Sequence, residues 1–287
     1  MKIAQNTLFE ALQTVSEQHA RHTPLYAVLE TCCYDSLKTS DFRSKEEIQV
    51  PFGPFGTLCM PYHKMGAIDS IDLFGLDELI LFSFYHANRN RYRQVVDIGA
   101  NLGLHSILMA KCGFNVTSYE PDDIHFDLFK ARIALNDVSG KVTPVKAAVS
   151  DENGESEFIR VEGNTTGSHL AGAKSDPYGD LTRYVVKVLA AEDVFKNVDF
   201  AKIDAEGHEV VILKAVPKEY WQNLDVVVEV GTAENAKEIY DYFTALDVGL
   251  FSQKTGWQKA ATLEDIPVSY KEGSLFISSN SKMPWSE

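Results

Sequence analysis

The run Val95-Val96-Asp97-Ile98-Gly99-Ala100-Asn101-Leu102-Gly103-Leu104-His105 decides the architecture of this chain. It reads as a buried strand carrying an acid near its end, then a tight glycine turn, then the start of a helix. Val95, Val96 and Ile98 are β-branched at nearly consecutive positions, the pattern of a strand covered on both faces. Gly99 and Gly103 permit a sharp turn and let a ligand approach the backbone closely. The helix start offers free N–H groups at the carboxyl edge of a sheet, where open α/β sheets bind ligands. A dinucleotide fingerprint needs G-x-G-x-x-G, but the middle position here is Asn101 and a carboxylate, Asp97, precedes the turn. A pyrophosphate is repelled there, whereas an ammonium group is attracted.

Working outward, short β-rich runs alternate with helical stretches from residue 94 onward. The runs cover 94–99, 115–120, 142–149, 200–204, 225–230, 248–253 and 274–278, and the helical stretches 102–112, 122–135, 209–214 and 234–246. This alternation predicts an α/β fold with a doubly wound parallel sheet. No amphipathic helix separates the last two runs, so they are expected as an antiparallel pair at one sheet edge. Residues 1–93 read differently: helical to about residue 34, a strand pair within 46–62 around Gly53-Pro54-Phe55-Gly56, and a helix over 75–86. They form an N-terminal α/β cap on a core domain of residues 94–287. Between 150 and 189, short strands at 155–161 and 184–188 flank a Gly-, Ser- and Thr-rich loop over 163–180. A loop that long in a compact domain is more often functional than filler.

Composition narrows the partners. The chain has 287 residues, 27 Lys plus Arg against 41 Asp plus Glu, and a formal net charge of −14. That deficit of basic residues argues against nucleic acid. With 45% hydrophobic and 24% charged residues, the proportions are those of an ordinary globular protein, and neither disorder nor a membrane protein fits. Glu10, Gln13, Ser16 and Glu17 interrupt the first twenty residues, so a cytoplasmic location is expected. Cys32, Cys33, Cys59 and Cys112 match neither a zinc spacing nor a disulfide framework. The glycosylation-like triplets at Asn115 and Asn164 are chance matches without a secretion signal.

A second acid sharpens the ligand. The run Asn115-Val116-Thr117-Ser118-Tyr119-Glu120 ends in a carboxylate followed by Pro121. An acid at the tip of the second strand can accept hydrogen bonds from two ribose hydroxyls. Asp97 and Glu120 on adjacent strands therefore describe a nucleoside site that also expects a cation. S-adenosylmethionine carries a ribose, an α-ammonium and a sulfonium, and fits that description.

The stretches 95–104, Tyr119-Glu120-Pro121, Ala147-Ala148-Val149-Ser150 and Lys202-Ile203-Asp204-Ala205-Glu206-Gly207-His208-Glu209 resemble the FkbM family of S-adenosylmethionine-dependent methyltransferases. The similarity runs over about residues 95–250. It implies a seven-stranded Rossmann-like methyltransferase sheet, with an antiparallel C-terminal edge strand, that methylates a hydroxyl, often on a sugar or natural product. By the same resemblance Asp97, Gly99, Asn101 and Gly103 form the cofactor turn, and Glu120 holds the ribose. Ala147 lies near the adenine and Asp204 beside the methionine moiety. The chain departs from the family at Thr166-Gly167-Ser168-His169-Leu170, where paired serines are usual.

The run Asp204-Ala205-Glu206-Gly207-His208-Glu209 crowds four ionisable groups into six residues, which is costly unless a cation, proton or ligand offsets the repulsion. Methyl transfer to a hydroxyl requires the oxygen to be positioned and its proton removed, and histidine suits that transfer near neutral pH. His208 and His169 are the candidate bases, with Asp204 or Glu206 to orient an imidazole. Asp204, Glu206 and Glu209 suit Mg²⁺, but no second acid cluster partners them and no metal is assigned. His105 is expected to pack or hydrogen-bond locally. Glu229, ending the run Val226-Val227-Val228, is placed to face the acceptor. Two alternatives share the fold class. One is a nicotinamide-dependent oxidoreductase, which Asn101 and Asp97 disfavour. The other is a non-catalytic binding module, which the retained turn and ionisable cluster disfavour.

Overall fold

The computed structural model describes residues 5–38, 40–174 and 179–285. The first four residues of the expected N-terminal helix and positions 175–178 of the expected loop lie outside them. Helices α1 (Gln5–Thr14) and α2 (Pro24–Lys38) come first, then the two-residue strands β1 (Val50–Pro51) and β2 (Thr57–Leu58), and α3 (Leu76–Ala87). The run read first becomes β3 (Gln94–Ile98), a glycine turn, and α4 (Leu104–Lys111). Next come β4 (Asn115–Tyr119), α5 (Asp123–Leu135) and β5 (Val142–Val145). Asp122 starts α5 by accepting hydrogen bonds from the Ile124 and His125 amides, as an N-cap does.

The single strand expected over 142–149 is divided. Its second half, β6 (Ala148–Ser150), leaves the main sheet and joins β7 (Gly154–Val161), β8 (His169–Leu170) and β9 (Leu181–Ala190) in a separate sheet ordered β6-β9-β7-β8. The remaining elements are α6 (Ala191–Val194), β10 (Phe200–Ile203), α7 (Glu209–Ala215), β11 (Asp225–Glu229), α8 (Ala233–Ala245), β12 (Gly249–Ser252), β13 (Gln258–Lys259) and β14 (Ser274–Ser278).

The main sheet is ordered β13-β12-β14-β11-β10-β3-β4-β5. Strands β5, β4, β3, β10 and β11 are parallel neighbours, and the chain winds outward from β3 in both directions. Successive residues face opposite helix layers, as a doubly wound sheet requires. Val95, Phe200 and Val227 join the cluster of α1–α5, whereas Val96, Ala201, Val226 and Val228 join that of α6–α8. Phe9, Phe52 and Phe74 from the N-terminal part share the first cluster with Leu104 and Ile107 of α4.

One expectation needs correcting. β12 and β14 are antiparallel neighbours, but β14 is not at the edge: it lies between β11 and β12, and the two-residue β13 takes the edge. The crossover through α8 sets β12 running with β11 one strand-width away, and β14 returns antiparallel into that slot. No helix among the described residues is long and apolar enough to cross a membrane.

Candidate active site

The turns after β3 and β10 touch. Ile98 and Ile203 are register partners, and the Asp204 amide donates to the Ile98 carbonyl at 3.0 Å. Gly99 has φ +76°, and a Cβ there would collide with the Asp204 carbonyl. Only glycine lets these crossings meet. Toward β4, the Gly99 and Ala100 amides both donate to the Tyr119 carbonyl at 3.0 Å. Asn101 has φ +52°, and its amide donates to Glu120 Oε2 at 2.7 Å while the Asp122 amide donates to Oε1 at 2.8 Å. Burial outweighs those two bonds and pushes the Glu120 carboxyl up to about 8.

Over this edge opens a cavity of about 960 Å³. Of the residues singled out from the sequence, Gly99, Asn101, Glu120, Ala147, Asp204, Glu206, His208, His169, Glu209 and Glu229 line it. Asp97 and Gly103 are not among the lining residues. Asp97 shares its sheet face with Val95, so its side chain enters the helix layer, where it is fully buried and accepts a hydrogen bond from Ser106 of α4. Gly103 starts α4 against the Phe129 ring, at φ +85°. Both residues brace the turn from beneath.

The acidic run after β10 is dispersed rather than gathered. Glu209 accepts from the Ala205 amide at 2.9 Å and the Gly207 amide at 3.0 Å, closing the first turn of α7. Glu206 pairs with Lys174, and Asp204 lies 3.3 Å from Lys202 Nζ. Burial and the nearby Asp204 push Glu206 up to about 7. Burial first, then Asp204, Glu206 and Glu78, raise Glu229 far above the usual carboxylate range. Lys202 is 7% exposed. Burial opposes its charge, but Asp204, Asp97, Glu78 and Glu229 more than offset this and hold it above the usual lysine range. Among the described residues no group of three or more His, Cys, Asp or Glu is placed to hold a metal ion.

Neither histidine is oriented by Asp204 or Glu206, the partners expected for them. His208 Nε2 lies 2.8 Å from Ser150 Oγ, which itself donates to Asp151 at 2.8 Å. His169, 2% exposed, has Nδ1 2.9 Å from the Gly167 carbonyl, and among the described residues its Nε2 has no hydrogen-bond partner. Burial holds both imidazoles below their usual range. His105 bonds locally, as expected: its Nδ1 lies 2.9 Å from Tyr85 Oη and its Nε2 2.9 Å from Glu78 Oε2.

Several lining residues escape sequence reading. Lys174 comes from the loop of the second sheet, between β8 and β9. Glu78 comes from α3, where it is an acid in the apolar run Leu76-Asp77-Glu78-Leu79-Ile80-Leu81. An acid inside such a run was the available signal. His125 lines the cavity too, 2.9 Å from Thr165 Oγ1, while an Asp122–Arg160 ion pair ties α5 to β7.

Comparison with known proteins follows the same lines. The chain matches the methyltransferase FkbM domain model over residues 97–249, more than half its length. It is 26% identical to the methyltransferase sdnD of Sordaria araneosa, over 47% of this chain and 65% of that protein. It is 25% identical to the hexuronic acid methyltransferase AglP of Haloferax volcanii, over 50% of this chain and 58% of that protein. The match thus spans somewhat under two thirds of each relative. Among solved structures, the methyltransferase FkbM of Methylobacillus flagellatus KT aligns with a TM-score of 0.40 and 16% identity, covering 65% of this chain and 43% of that one. On the match over residues 97–249, this chain belongs to the FkbM methyltransferase family.

Proposed function

We propose that this protein is an S-adenosylmethionine-dependent methyltransferase acting on a hydroxyl of a sugar or natural-product small molecule. The observation that carries the reading is one cavity joining the Gly99–Asn101 turn and Glu120 to the Asp204–Glu209 run, in a chain of the FkbM family. The residues suit the cofactor. Each Glu120 oxygen accepts one backbone bond, which leaves capacity for two ribose hydroxyls. Among the described residues Asn101 Oδ1 is buried without a hydrogen-bond partner. Ala147, with no exposed surface beyond the cavity, leaves room for the adenine. Asp204 supplies negative charge for the ammonium and sulfonium, and Glu206 and Glu229, whose carboxyls are raised in the free protein, ionise as those cations enter. Bound there, S-adenosylmethionine supplies an electrophilic methyl group.

The protein's own part is to hold the acceptor oxygen and remove its proton. His169 fits best. The Gly167 carbonyl requires a proton on Nδ1, so Nε2 carries the lone pair, and the lowered pKa keeps the ring neutral at pH 7. His208 is the second candidate, its Nε2 already engaged by Ser150. Asp204 and Glu206 then act on charge rather than on an imidazole. The name of AglP, a hexuronic acid methyltransferase, supports a sugar acceptor.

Calorimetry tests the reading. S-adenosylmethionine binds the full chain, and Glu120→Ala weakens it at least about tenfold, as loss of a charged hydrogen-bonding partner does. Binding of NADH in its place, or no binding by a folded chain, overturns it.

A further inference from the structure

A second chamber of about 270 Å³ opens beside the cavity, sharing Asp72, Glu78, Asp204, Glu229 and Tyr270 with it. Ligand pockets commonly run about 300–1,000 Å³, so this one has room for one small ring and not for a chain. Six carboxylates (Glu30, Asp72, Asp77, Glu78, Asp204, Glu229) line it against two cations, Arg21 and Lys202. Both cations are already paired, Arg21 with Asp77 and Lys202 with Asp204.

Glu78 stands apart, at the boundary of the two spaces. Tyr85 is fully buried, burial drives its phenol well above the usual range, and its hydroxyl lies 2.9 Å from His105 Nδ1. On its other side, His105 Nε2 lies 2.9 Å from Glu78 Oε2. The Tyr85–His105–Glu78 chain engages one Glu78 oxygen and leaves Oε1 without a partner among the described residues. Burial works against the Glu78 charge, but His105 and Lys202 outweigh it and keep the carboxyl below its usual range, unlike Glu229 and Glu206.

We infer that this side chamber is the acceptor pocket, that it takes one monosaccharide-sized ring bearing hydroxyls and an ammonium group rather than a carboxylate, and that Glu78 anchors that ring. His105 and Tyr85 are its positioning residues. The inference rests on the methyltransferase reading above. It separates this chain from its relative named for hexuronic acid, because a uronate entering this chamber meets an excess of like charge.

The test uses the full chain with labelled S-adenosylmethionine and three probes: the methyl glycosides of glucosamine, glucose and glucuronic acid. The expected order of kcat/KM is glucosaminide, glucoside, glucuronide, with about tenfold or more between first and last. In Glu78→Gln the new amide oxygen still accepts from His105, so the fold is kept, and calorimetry with S-adenosylmethionine reads any change at the cofactor separately. KM for the glucosaminide rises about tenfold with kcat nearly unchanged, and the preference over the glucuronide collapses. His105→Phe produces the same KM shift in smaller measure. Glu78→Asp serves as the second variant should the amide unfold. No cofactor binding by wild type overturns the methyltransferase reading and the chamber with it. With the cofactor bound, four results overturn the chamber alone: a glucuronide as good as the glucosaminide, a glucoside better than it, no probe methylated, or an unchanged preference in Glu78→Gln.

Discussion

Glu120 makes nucleoside binding depend on pH in a predictable direction. Its carboxyl, at about 8 in the empty cavity, is mostly protonated at neutral pH, whereas accepting two ribose hydroxyls requires the ionised form. The ionised fraction is about 1% at pH 6, about 9% at pH 7 and about 91% at pH 9, and apparent affinity scales with it. Affinity therefore rises with pH and levels off above 8. It is about 100-fold below the plateau at pH 6 and about tenfold below at pH 7, or roughly 2.7 and 1.4 kcal/mol. The clean ligand is 5′-methylthioadenosine, which has the ribose but neither the ammonium nor the sulfonium, so Glu206 and Glu229 stay out of the titration. Calorimetry in two buffers of different ionisation enthalpy should show close to one proton released per ligand at pH 6–7. Glu120→Gln should flatten the profile and abolish the release. A flat wild-type profile, or a slope that survives in Glu120→Gln, refutes the argument.

Lys202→Met removes the buried cation facing Asp97 and Asp204 and should cost about 3–5 kcal/mol in urea unfolding; a loss under about 1 kcal/mol means those charges are not coupled through it. Gly99→Ala strains a left-handed backbone by about 1–3 kcal/mol and also drives a methyl into the Asp204 carbonyl, so both stability and cofactor binding should fall. Gly113→Ala, at φ +98° with open space around it, should show the backbone penalty alone, and equal losses at the two sites would refute the contact. His169→Gln should lower kcat by about 10²–10⁴ with cofactor affinity unchanged, while His208→Gln costs less than about tenfold; the reverse order would transfer the proton to His208.

The sheet and its glycine turn are legible because buried parallel strands write themselves as apolar runs and their ligand sites fall at strand tips. Gly99, Glu120 and Asp204 are found that way. The orientation of Asp97 is also present in the sequence: two residues upstream of the glycine, it shares a face with Val95 and points at a helix. The place of β14 is a matter of non-local pairing. Even so, Leu275, Phe276 and Ile277 are consecutive apolar residues with no exposed surface, which is the mark of an interior strand. Glu78, His105 and Tyr85 come together only through the packing of α3 on α4, which no local pattern encodes. The split at 146–147 that sends β6 to the second sheet has no local signal either, since both halves read as β.

The interior position of β14 also sets an order on synthesis. The parallel half of the sheet, β5 to β11, can close as soon as β11 has been made, because each strand finds its neighbour among earlier ones. β12 has no such neighbour: its partner toward the core is β14, which is translated more than twenty residues later. In that interval Leu250 and Phe251, both buried in the finished fold, sit beside an open strand edge on a nascent chain. Until β14 slots in, β11 and β12 each keep an open edge flanked by apolar residues, and any partner that reaches that slot first blocks the finished sheet.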